Sequence, residues 1–345
     1  MKLTFDPIAQ RYPSQRYPLF AHGGMVNCSS PQAAAAGLEI LRAGGNAIDA
    51  AVAAAATLTV TEPTSNGLGS DAFALIWSAK SNQLCGLNAS GPAPMLADAA
   101  MVLRDGKDEN GKMPALGWTS VTVPGAPGAW AAAVEKFGRR SLSEDLSPAI
   151  RYAREGYPCA PNLSKAWAAS LNRYRALCKA PCFDGWFRTF APNDRAPEPG
   201  ELVRLRDHAD TLQDIGETNA ESFYRGVLAG MIDAESRRHG GYLRFDDLAA
   251  FRPQWVEPNR VSYRGYEVCE IPPNGQGIAA LMALNILNNF DFPEKEDPRT
   301  YHHQIEAMKL AFADAFRYVT DPGHMEIDYH RLITPVLQTQ VRLYG

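Results

Sequence analysis

Between Asn46 and Pro63 the chain reads AIDAAVAAAATLTVTE, with Asp49 the only charged residue before Glu62. A helix apolar around its whole circumference has to be covered on every side, so this segment demands a layered fold. Its alanines let neighbouring backbones approach closely, and the pattern places it as a central helix packed on a sheet. Asn46 offers the N-cap, and Asp49 lies in the first turn, where the helix dipole favours a carboxylate. Glu62-Pro63 ends the run.

The flanks are equally well punctuated. Ser30 can cap a preceding helix that starts at Pro31, where a missing N–H costs nothing, and Gly44-Gly45 closes it. After the central helix, Thr64 to Asp71 is a row of small or polar residues, including Asn66, Gly67, Gly69, Ser70 and Asp71. Such residues tolerate turn conformations, and they lead into a strand, Ala72 to Trp77. A turn over Ala79 to Asn82 returns the chain as Leu84 to Asn88, which exits through Ala89-Ser90-Gly91-Pro92-Ala93-Pro94.

Further along, residues 1–20 read as an extended arm and RDGKDENGK as a polar loop. Thr119 to Val123 reads as a β-branched strand, and apolar residues at helical spacing then run from Ala129 to Phe137. Ser143 is the expected N-cap of the next helix, and another helix covers Asn162 to Lys179. Residues 180–206, rich in proline, glycine and aromatics, form an irregular packed loop. Helices follow at Asp207 to Ile215, at Ala220 to Arg238 with Asn219 as cap, and at Phe245 to Phe251. A hairpin pairs Arg260–Tyr263 with Tyr266–Ile271. Asn274 to Gly277 reads as a helix cap in preference to a pocket wall. An amphipathic helix ends at Asp321-Pro322, and Tyr329 to Leu343 is the last helix. Long helices alternating with short hairpins indicate an α+β layered architecture with antiparallel pairing, taken here as a single domain over 1–345.

Composition narrows the function classes. A chain of 345 residues that is 46% hydrophobic can bury a large core, and a net charge of −4 with no Lys/Arg run gives no case for nucleic acid or an anionic membrane as partner. No apolar stretch approaches the ~20 residues of a membrane span. The first residues lack an apolar signal core, and six cysteines are too sparse for a disulfide framework, so the expected compartment is cytoplasmic.

Several motifs fail as sites. Cys178-x-x-x-Cys182 has no second ligand pair, and His302-His303 with Glu306 is not HExxH. Gly69-Ser70-Asp71 continues with Ala72, so it is not a nucleophile elbow. Gly125-x-x-Gly128 is too short for a dinucleotide fingerprint. Asp314 and Arg317 read as an intrahelical ion pair. Neither a metal nor a cofactor is expected.

The string GGMVNCSSPQAAAAGLEILRAGGNAIDAAVAAAATLTVTEPTSNGLGSDAFALIW resembles the start of the large subunit of γ-glutamyltransferases, which are N-terminal-nucleophile hydrolases. SVTVPG, ESFYRG, GGYLRFDDLAAF, YRGYEV and IPPNGQG carry the resemblance over nearly the whole chain. It implies a four-layer αββα sandwich, which pattern alone does not select. It also implies that autocatalytic cleavage frees a threonine nucleophile at the start of a small subunit. No Thr-Thr-His cleavage sequence is present here, so no catalytic residue is expected in this chain. The expected partner is the small subunit cut from the same precursor, and a dimer of heterodimers is one arrangement open to the product.

In the family an arginine in the pattern Asp-x-Arg-x-x-Ala-Pro pairs with the substrate α-carboxylate. The corresponding residues are Asn88-Ala89-Ser90-Gly91-Pro92-Ala93-Pro94, with Ser90 in the arginine's place. A hydroxyl cannot replace a bidentate guanidinium contact, so a smaller or differently charged acyl group is expected. LNxSGxAP is similar to the branch that includes oxamate amidohydrolase. The substrate-binding candidates are Asn88, Ser90, Asn66, Ser70 and Asp71, each with simple turn chemistry as its rival role. The reading is a small-amide hydrolase that favours hydrolysis over transpeptidation. The alternatives are a γ-glutamyl hydrolase or transpeptidase, and a non-catalytic scaffold that keeps the fold.

Overall fold

The computed structural model describes residues 18–106, 110–294 and 296–334. The arm expected over 1–20 therefore lies almost wholly outside the described residues, as does the last expected helix from residue 335 on. What is described of that helix, Tyr329–Ile333, is a 3-10 segment. The chain divides into two compact units, each assembled from two separate stretches. One takes in the chain up to Gly67 with Val134–Ala220, and the other Leu68–Ala133 with everything from Glu221 onward.

In the first unit, α1 (Pro31–Arg42) is capped by Ser30 as the sequence predicts. The apolar helix is α2 (Ala47–Thr61), and ten of its residues are buried. Within its unit it packs on α1 and on the helix Leu142–Glu155. Alanine-lined faces permit that close helix packing as readily as packing on strands. Asn46 caps α2 by accepting the N–H groups of Ile48 at 2.8 Å and Asp49 at 3.2 Å. The cap of Leu142–Glu155 is Ser141 and not Ser143. Glu144 reaches back to the Ser141 N–H at 2.9 Å, which completes a capping box two residues earlier than expected. The irregular segment 180–206 holds a short helix, Asp184–Phe190, and a strand, Leu202–Val203, paired with Tyr157–Pro158. Its aromatics are packed: Trp186 meets Tyr174 edge-on at 4.7 Å.

In the second unit, β1 (Ala72–Ser78) and β2 (Gln83–Ala89) form the expected hairpin, in the register Ala72↔Ala89. A third strand, Gln254–Val256, pairs with β2 and was not legible in the sequence. It leaves β1 as an edge of its sheet, with Phe73, Leu75 and Trp77 exposed in alternation. The expected strand Thr119–Val123 is absent. Trp118–Ser120 is a 3-10 turn, and Val123 then donates a lone bond to the Pro92 carbonyl at 3.1 Å. The single helix expected from Ala220 is two, Glu221–Arg225 and Val227–Arg238, broken at Gly226. Asn219 and Ala220 lie at φ 51° and 64°, outside helical space. The helices Gly277–Leu287 and Pro298–Tyr318 bury a core that includes Ile278, Met282, Ile286 and Ala311. The expected Asp314–Arg317 pair does not form; Arg317 reaches Glu326 instead, at 3.0 Å.

Candidate functional site

The second unit contains a cleft of about 1220 Å³ at the exit of β2, where Ala89 gives way to Gly91 and Pro92. Two backbones cross there without room for a side chain. A Cβ on Gly91 would fall 1.6 Å from the Val123 carbonyl oxygen, and one on Gly125 would fall 1.7 Å from that of Ala89. The glycines of these two segments are thus fixed by the crossing that shapes the cleft wall. Behind it, the buried Tyr224 hydroxyl donates to the Pro124 carbonyl at 2.8 Å and accepts the Gly128 N–H at 3.0 Å. Its ring stacks on Phe251, which lines the cleft.

Asn88, Ser90 and Asn274 form a closed ring on the cleft surface. The Asn274 amide donates to Ser90 Oγ at 2.9 Å, Ser90 Oγ donates to Asn88 Oδ1 at 2.8 Å, and Asn88 Nδ2 donates to Asn274 Oδ1 at 3.0 Å. Ser90 N–H also donates to Asn88 Oδ1, at 2.9 Å. Asn274 is therefore a wall of the cleft, while the helix cap expected over Asn274 to Gly277 falls two residues further on in the same stretch. The N-cap position belongs to Gln276, which makes no side-chain capping bond. Each amide in the ring keeps one N–H for a ligand, because each nitrogen carries two and spends one.

The other candidates play different parts. Ser70 takes the N–H groups of Gly125 at 3.1 Å and Ala126 at 2.8 Å on its backbone carbonyl. Asp71 Oδ1 accepts the Gly91 N–H at 3.3 Å, and burial raises its carboxyl above the ordinary value. Both support the crossing without lining the cleft. Asn66 belongs to the first unit, where its N–H donates to the Glu62 carbonyl at 3.0 Å in a turn.

Sequence reasoning missed several residues of the cleft. Asp247 ties the loop before it together, accepting from Met95 N–H and Arg244 N–H at 2.8 Å each. Asn259 is 5% exposed, and its Nδ2 has no partner among the described residues. Arg260 is occupied by Glu267 at 2.9 Å and Glu257 at 3.2 Å. Arg252 donates through Nη1 to the carbonyls of Ala249 at 2.8 Å and Phe251 at 2.6 Å. Lone polar residues between prolines and aromatics carry no local signal; only a resemblance at FRPQWVEP could have pointed to them.

Comparison with known proteins fixes the class. The fold is similar to that of a cephalosporin acylase from Bacillus halodurans, with a TM-score of 0.93 at 52% identity over 99% of this chain and 63% of that one. The architecture is thus the large-subunit part of an αββα N-terminal-nucleophile hydrolase. Residues 33–343 match Gamma-glutamyltranspeptidase, and the chain belongs to that family. A Glutathione hydrolase-like YwrD proenzyme of Bacillus subtilis is 36% identical over 304 residues, which cover 87% of this chain and 56% of that protein. An Oxamate amidohydrolase proenzyme of Klebsiella pneumoniae is 32% identical over 318 residues, covering 90% of this chain and 58% of that protein. The chain thus spans somewhat over half the length of these relatives.

Proposed function

We propose that this chain is the large part of an autoprocessed amide hydrolase that acts on a small amide such as oxamate. The neutral ring of Asn88, Ser90 and Asn274, standing where the family resemblance puts an arginine, carries this reading. Amide N–H donors in an open cleft suit a compact acyl group better than a long γ-glutamyl chain held by a fixed guanidinium at that position. The nucleophile in this reading is a threonine on a second polypeptide released from the same precursor. The proenzyme names of the relatives support it, as does the exposed apolar row Phe73, Leu75 and Trp77 on an edge strand suited to cover by another chain. Attack on the amide would give an acyl-enzyme that water then releases. A reducing, cytoplasmic setting belongs to the same proposal, supported by six free thiols.

A second reading, γ-glutamyl hydrolysis, is favoured by the glutathione hydrolase-like relative. The test is kinetics of the full two-chain protein on oxamate and on a γ-glutamyl anilide. Oxamate is expected to have the higher kcat/KM. Ordinary turnover of the anilide overturns the substrate assignment, and no turnover of any amide leaves the scaffold alternative.

A further inference from the structure

Three helix ends meet at a second cavity, of about 200 Å³, that lies wholly within the first unit. The first turn of α1 borders it through Pro31 and Gln32, and the end of α2 through Thr61 and Glu62. The third is the start of the helix Pro161–Leu177, which contributes Asn162 and Leu163. A helix start carries partial positive charge and unbonded N–H groups, and a helix end carries the opposite. Both signs therefore border one small space.

The two helix starts are not alike. Ser30 caps α1, its Oγ accepting the Ala33 N–H at 3.5 Å, and the same Oγ bonds with Thr61 Oγ1 at 3.1 Å. The N-cap of the other helix is Ala160, whose methyl accepts nothing, so the N–H groups of Asn162 and Leu163 have no acceptor among the described residues. Tyr157 lines the same cavity at 1% exposure, and its hydroxyl has no partner among the described residues. Buried hydroxyls are normally bonded, and the cavity is where a partner can stand. Glu62 is the only charged side chain among the lining residues, and the bond it accepts from Ser29 Oγ, at 2.7 Å, occupies Oε2 alone.

A bare anion would meet Glu62 here, and a bare amine would leave the helix start unserved. Donors without acceptors beside a carboxylate call for a ligand that brings both a carboxylate and an ammonium group. The volume is that of about six or seven liquid waters, which admits a small amino acid and excludes a drug-sized molecule. We propose that this cavity binds a small α-amino acid as its zwitterion, with the carboxylate on the Asn162 and Leu163 N–H groups and the Tyr157 hydroxyl, and the ammonium on Glu62. The site shares no residue with the cleft at the exit of β2 and does not depend on the amide-hydrolase function.

The test is calorimetry on the full two-chain protein with three probes of similar size: L-alanine, propionate, which lacks the ammonium, and ethylamine, which lacks the carboxylate. L-alanine is expected to bind at least about tenfold more tightly than either, because each probe forfeits one charge-assisted contact. Ala160→Asp supplies a carboxylate that caps the helix Pro161–Leu177 in the ligand's place. It should raise the urea midpoint while weakening L-alanine binding at least about tenfold, so that lost binding is not lost folding. Glu62→Gln should bring L-alanine and propionate to nearly equal affinity. Tyr157→Phe, which removes only the hydroxyl, should weaken L-alanine by about three- to tenfold. A wild type that binds no L-alanine, or binds propionate or ethylamine equally well, overturns the assignment. So does L-alanine binding that either Ala160→Asp or Glu62→Gln leaves unchanged, which would place it elsewhere on the protein.

Discussion

Each unit gathers polar groups beside the end of a regular element, and the two gatherings use charge in opposite ways. In the first, Asp49 is fully buried and accepts the N–H groups of Asn46 at 2.6 Å, Arg139 at 3.0 Å and Arg140 at 3.4 Å. Arg140 in turn donates to the Ala43 carbonyl at 2.9 Å and to Glu144 at 2.8 Å. Every one of these charges holds the chain to itself. In the second, the side-chain ring is neutral, and Arg252 of the same cleft has only Nη1 engaged among the described residues, by the Ala249 and Phe251 carbonyls. Sealed charges fix loops, whereas charge left open in a cleft is available to a ligand.

The largest way to break the comparison is at the cleft wall. Gly91→Ala places a methyl carbon 1.6 Å from a backbone oxygen, far inside van der Waals contact, and no rotamer can relieve that overlap. The expected loss exceeds about 4 kcal/mol, read as a collapsed denaturant midpoint or as insoluble protein. A soluble, near-normal variant would show that the crossing of residues 91 and 123 is not tight in solution. Next comes the sealed cluster. Asp49→Ala leaves three part-buried N–H groups without that acceptor, and each orphan of that kind costs up to roughly 1–3 kcal/mol. A loss of about 3–5 kcal/mol in urea unfolding is expected, while oxamate turnover per folded molecule of the two-chain protein stays near wild type. A loss of turnover with little loss of stability would reverse the roles assigned to the two regions.

How much of this was readable from the residues alone follows the range of the forces involved. Caps are local: Asn46 and Ser30 could be placed because the side chain and the N–H it serves lie two or three residues apart. The β1–β2 hairpin is nearly as local. The strand Gln254–Val256 pairs across more than 150 positions of chain, and its Pro-flanked, three-residue span has no alternation to detect. For Asn274 to Gly277 the residues alone leave wall and cap both open, with the cap preferred. Only the long-range contact with Asn88 and Ser90 decides it. Ser90 is reached through a resemblance, and Arg252 is not, because it joins the cleft only through the fold that brings Gln254–Val256 beside β2.

The finest distinction concerns Asp145, the second acid of the sealed cluster. It is wholly buried, no hydrogen bond reaches its carboxyl oxygens among the described residues, and Arg140 Nε is 4.0 Å away. Burial, and then the charge of Asp49, push its carboxyl from an ordinary 3.8 up to about 7. Between those values the folded protein holds a proton that the unfolded chain has released. Asp145 therefore contributes its full stability below the unfolded value and loses it as the pH rises through the folded one. Paired exposed carboxylates such as Glu144 titrate the other way, so the raw stability curve mixes both signs. Asp145→Asn removes only the first. The wild-type-minus-variant difference in unfolding free energy should thus fall from pH 4 to pH 8, by up to about 4 kcal/mol, and a difference flat across that range would mean that the sealed cluster carries its charge without cost.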